Sequence, residues 1–90
     1  MVDQIYYDVW LNDKEKIRIF KENIQEEFLV WHRDKRNRKI EVLFGSNWKF
    51  QFDNEMPFTL EVGKTYEVRN MRYHRILKGD GHLIVKISEE

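Results

Sequence analysis

Alternation of apolar and polar side chains dominates the second half of the chain. Trp48, Phe50 and Phe52 alternate with Lys49, Gln51 and Asp53, and this period of two puts the three aromatic rings on one face of a β-strand. Asp53-Asn54-Glu55-Met56-Pro57 has the composition of a turn, closed by the only proline. Phe58 to Val62, Tyr66 to Val68, Tyr73 to Leu77 and His82 to Ile87 read as further strands, divided by Gly63-Lys64 and by Gly79-Asp80-Gly81. Short strands separated by glycine and asparagine turns predict an all-β sandwich or barrel. The first third supports two readings. Asn12 or Asp13 is placed to cap a helix over 13–28 carrying Ile17, Phe20, Ile24 and Phe28. Against it, Lys16-Ile17-Arg18-Ile19 alternates and Phe28-Leu29-Val30-Trp31 is aromatic and β-branched, as in strands.

Ninety residues make one domain, 1–90, because a chain this short buries only about 60% of its unfolded surface and cannot divide that core. Six Phe, four Tyr and three Trp give it an aromatic core. The 16 basic and 16 acidic side chains cancel, so no overall field draws the protein to nucleic acid or to an anionic membrane. No cysteine is present, which excludes disulfides and thiolate metal ligands. The first ten residues hold two aspartates and no apolar leader, and no run of about 18 apolar residues follows, so a cytoplasmic protein with no membrane association is expected. Ile5 to Leu11 is too apolar to hang free in water. The chain therefore divides into an N-terminal strap, 1–14, suited to hold a second copy in a homodimer, and a barrel, 15–88.

Two segments carry candidate chemistry, one running from Trp31 to Gly45 and the other from Gly63 to His74. His32 is followed at two residues by Asp34, at six by Arg38 and at thirteen by Gly45, while Gly63 and His74 stand eleven apart. This spacing resembles the two motifs of the cupin superfamily, with Ser46 to Val62 as a short intermotif stretch. The side chains depart from the family's pattern. Its leading glycine is Glu26 here, its second histidine Asp34 and its glutamate Arg38; in the second motif the proline is Arg69, the inner glycine Met71 and the asparagine Lys78. The resemblance implies a small single-domain cupin with degenerate motifs, a double-stranded β-helix or jelly-roll barrel in which 16–31 are strands.

Residues i and i+2 of a strand share a face, so His32 and Asp34 point the same way, and the barrel is expected to bring His74 from a neighbouring strand. Two imidazoles and a carboxylate suit Fe, Ni, Zn or Mn. Arg38 stands where the family places a metal-binding carboxylate and offers Asp34 a bidentate partner instead. With Gln51 and Tyr73, Arg38 is also a candidate contact for a small polar ligand. The expected function is thus ligand or divalent-metal binding in the barrel, with no reaction assigned. Two alternatives stand beside it: a non-catalytic scaffold for assembly or regulation, and a nucleic-acid accessory protein using the basic and aromatic side chains of 31–39, with a second such cluster at Arg72, Tyr73 and Arg75. His32-Arg33-Asp34 also spells the catalytic triplet of protein kinases, but Lys39 replaces the required asparagine and no phosphate loop exists.

Overall fold

Two antiparallel sheets face each other across an apolar core in the computed structural model, which describes residues 5–90. The strands are β1 (Tyr7–Trp10), β2 (Glu15–Phe20), β3 (Arg38–Ser46), β4 (Lys49–Phe52), β5 (Phe58–Thr59), β6 (Thr65–Val68), β7 (His74–Leu77) and β8 (Asp80–Glu89). The larger sheet runs β1-β2-β8-β3-β6 and the smaller β5-β4-β7. An isolated antiparallel bridge between His32 and His74 lays a further segment along β7.

The strand reading of 16–31 holds as far as Phe20, in β2, and the helix over 13–28 does not form; 21–31, expected as strand, is instead a loop with a 3-10 turn. Asn12 does act as a cap, but of a hairpin: its Oδ1 accepts the backbone N–H groups of Lys14 and Glu15, each at 2.9 Å, in the turn between β1 and β2. The side-chain acceptor that suits a helix start serves a strand turn equally well. Helical structure among the described residues is confined to a 3-10 turn, Glu26–Phe28. None of it is long and apolar enough to cross a membrane. Tyr7–Trp10, within the expected strap, pairs with β2 of the same chain, Tyr7 opposite Ile19 and Val9 opposite Ile17. Residues 1–4 of that strap lie outside the described residues.

The core follows the alternation. Ile40 and Val42 from β3, Val68 from β6 and Leu83, Val85 and Ile87 from β8 are buried against Phe50 and Phe52 of β4. Trp48 is fully buried, so the aromatic stripe 48–52 is core as expected. Each such side chain contributes roughly 1.5–3 kcal/mol by leaving water. β2 is the exception in kind: its buried face carries Lys16, Arg18 and Phe20, while Ile17 and Ile19 are only half-buried on the outer face.

Candidate metal centre and cavity

His32 and His74 are antiparallel partners whose backbones exchange both hydrogen bonds, N–H to O at 2.9 Å in each direction. The bridge sets their rings edge to face with centroids 4.3 Å apart. His74 is buried, stacked on Phe50 at 5.2 Å and 17° between planes. Asp34 follows on the same face as His32, and its carbonyl accepts the N–H of Met71 at 2.6 Å. Met71 holds φ +63°, the left-handed conformation, at the position where the cupin motif has its inner glycine. The backbone thus keeps the shape that glycine makes easy, and a side chain there costs about 1–2 kcal/mol.

One ligand atom from each of His32, Asp34 and His74 lies within 4.8 Å of the other two. Nδ1 of His32 faces the Val30 carbonyl at 3.0 Å, and Nδ1 of His74 faces the Arg72 carbonyl at 2.8 Å. A carbonyl only accepts, so each Nδ1 carries the hydrogen and each Nε2 offers a lone pair to the site. Nε2 of His74 is 3.3 Å from Oδ2 of Asp34. Two lone pairs at that distance repel unless a cation lies between them, either a second imidazole proton or a metal ion. Donors bound at about 2.0–2.1 Å to a tetrahedral metal stand about 3.3–3.4 Å apart, so the pair fits a first-row divalent ion.

Arg38 sits 3.2 Å from Asp34 Oδ1 through Nη1 and donates through Nη2 to Glu89 at 2.7 Å. Its charge is therefore shared by two carboxylates, and it orients Asp34 rather than simply opposing a second cation. Burial pushes the Asp34 carboxyl up, but a hydrogen bond from His74, made when its Nε2 carries the second proton, and the charge of Arg38 outweigh it and hold the group below the usual aspartate range. The ion pairs continue past this point. Glu89 is 3.8 Å from Lys16 Nζ, Lys16 is 3.5 Å from Asp8, and Asp8 accepts a two-pronged pair of hydrogen bonds from Arg18, Nε at 2.8 Å and Nη2 at 2.9 Å. Three cations and three carboxylates thus alternate from β2 to the histidine pair. The β2 charges are buried because carboxylates on the flanking strands β1 and β8 neutralise them.

The cluster opens on a cavity of about 270 Å³ between the sheets, lined by His32, Asp34, Arg38 and His74 at one part and by Arg18, Tyr6 and mostly apolar side chains elsewhere. The expected metal ligands therefore converge, and Arg38 lines the same space. Gln51 and Tyr73, expected as ligand contacts, lie outside it. Phe50 and Phe52 take the inner face of β4, which turns Gln51 outward, where it accepts from Arg75 Nε at 2.9 Å. Tyr73 is the outward neighbour of His74, exposed beneath Arg33 at 5.0 Å. Trp31 lies under Arg75 at 4.6 Å, so the two basic-aromatic segments meet across the histidine bridge. Arg18 and Tyr6 are the cavity residues that the sequence reading missed. The signal was the phase of the β2 alternation, which a period of two leaves undetermined.

Comparison with protein-family models and with curated proteins finds no match to this chain. Solved structures do match. An RmlC-like cupin with a double-stranded β-helix fold from Methanocaldococcus jannaschii superposes with a TM-score of 0.68 at 12% identity, over 99% of this chain and 91% of that one. A cupin-2 domain protein from Shewanella frigidimarina gives 0.66 at 16% identity, over 96% and 81%. A structure of DMSP lyases gives 0.71 at 14% identity over 84% of this chain, which spans only 37% of that longer chain. The architecture is accordingly a double-stranded β-helix. More narrowly it is the cupin fold, as the spacing of the two histidine segments implied.

Proposed function

We propose that this protein is a small cupin that binds a divalent metal through His32 Nε2, Asp34 and His74 Nε2 and admits a small ligand to the adjoining cavity. The observation that carries the reading is the 3.3 Å approach of His74 Nε2 to Asp34 Oδ2 with both Nδ1 hydrogens already committed to carbonyls. Fe, Ni, Zn and Mn all accept this donor set, and a bound ion would supply Lewis-acid polarisation of a ligand in the cavity. The chain's own residues do the rest: the bridge spaces the imidazoles, Arg38 orients Asp34, and Phe50 shields His74 from water.

Metal analysis of protein purified without a polyhistidine tag tests this. One equivalent of metal is expected in the wild type, with loss of at least tenfold in affinity in His74→Ala. His32→Ala serves as a second variant, because His32 is exposed and its removal leaves the core intact. Wild-type protein that takes up none of the four metals, and whose melting temperature none of them raises, overturns the reading.

A further inference from the structure

Arg18 is a buried cation on the wall of a cavity that is otherwise largely apolar away from the histidine cluster. Its guanidinium is held on two sides. Asp8 takes Nε and Nη2, and Cζ lies 3.6 Å from the centroid of the Tyr6 ring. A guanidinium has five N–H donors in a fixed fork. Among the described residues no acceptor meets Nη1 of Arg18. Arg38, the other guanidinium on this cavity, instead spends both amino groups on Asp34 and Glu89. Arg18 therefore lines the cavity with Nη1 uncommitted among the described residues and a fixed positive charge, a donor set that suits a planar anion.

We infer that Arg18 anchors the carboxylate of a small, mainly apolar acid bound in the barrel. The walls fit the body of such a ligand: Phe20, Leu60, Ile76 and Val85 line the space. Its volume of about 270 Å³ lies just below the roughly 300–1,000 Å³ common for small-molecule sites, which suits a small acid such as a single ring or a short chain. The charge count agrees and rests on the metal reading above. The network of three cations and three carboxylates is balanced by itself, so a divalent ion at the histidine cluster adds positive charge beside the cavity that an anionic ligand relieves. A neutral ligand of the same shape leaves it uncompensated.

The test is calorimetric titration of benzoate and hexanoate, each against its own amide, into wild type and Arg18→Met, with both metal-free and metal-loaded protein. Each acid is expected to bind wild type at least tenfold more tightly than its amide, and the preference is expected to fall below threefold in Arg18→Met while metal content stays unchanged. Arg18→Lys, which keeps a cation beside Asp8 but loses the fork, is expected to fall between them and serves if Arg18→Met does not fold. Equal binding of acid and amide, binding of neither, or a preference that survives in both variants overturns the assignment. Failure of the metal reading is seen separately in the metal analysis, and the acid preference in metal-free protein then decides Arg18 alone.

Discussion

Removing Asp8 is expected to destabilise this protein far more than its place on an edge strand suggests. The carboxylate is 20% exposed, but Arg18 and Lys16, which it neutralises, are only 11% and 7% exposed. Burial pushes the Asp8 carboxyl up, yet the hydrogen bonds and charge of Arg18, and then Lys16, pull it below the usual range, so it is ionised at neutral pH. Asp8→Ala strands a buried guanidinium and weakens the compensation of a buried ammonium. Breaking one side of a buried pair costs about 3–5 kcal/mol. The partial exposure of Asp8, and the Glu89 carboxylate still 3.8 Å from Lys16, argue for the low end, about 3 kcal/mol. At about 4–8 °C per kcal/mol for a domain this size, the melting point falls by roughly 12–24 °C. Urea unfolding of wild type, Asp8→Ala, Arg18→Met and the double variant isolates the pair, because removing both partners takes away the stranded charge. The double variant is expected to be more stable than the sum of the singles predicts by about 2 kcal/mol, with an unchanged m-value. A coupling of 0.5 kcal/mol or less, typical on the order of exposed ion pairs, would refute the claim that the β2 charges act as a buried network.

Asp34 makes the stability of the protein fall in acid. Its folded carboxyl titrates below the unfolded value, so its contribution to stability is complete above the ordinary aspartate range, about pH 4, and is lost as pH falls through the folded value. Asp34→Asn should accordingly lose stability at pH 7 and show a shallower decline between neutral pH and pH 3; parallel acid profiles followed by tryptophan fluorescence would contradict this. Met71→Gly should stabilise the fold by about 1 kcal/mol, since Met71 holds φ +63° with its side chain 47% exposed and little packing to lose. A lowered urea midpoint in that variant would show that the methionine side chain contributes more than its conformation costs.

The β-architecture was legible because burial imprints a period of two on 48–52 and on 83–87, and because glycine and asparagine mark the turns between strands. The convergence of His32, Asp34 and His74 was legible only through motif spacing, since nothing local in either segment states that 42 residues of chain fold back to pair them. Three features escaped. The side of β2 that faces inward is set by Asp8 and Glu89 on the flanking strands, and a period of two is satisfied equally by either side. Gln51 and Tyr73 looked like ligand contacts by proximity in sequence to the motifs, but each is the outward neighbour of a residue that takes the inner face. The turn at Asn12 was ambiguous because the same side-chain acceptor closes a helix start and a hairpin; the strand pairing of Tyr7–Trp10 with β2 decided it.

The bond between positions 32 and 74 is made by main-chain atoms alone, so it is indifferent to which side chains stand there. The distance between the two inward-facing positions is a property of the ladder, and a single substitution at either changes what is presented without moving where it is presented. A frame of this kind makes its chemistry exchangeable: ligands can be lost, swapped or regained one codon at a time while the cradle that spaces them persists.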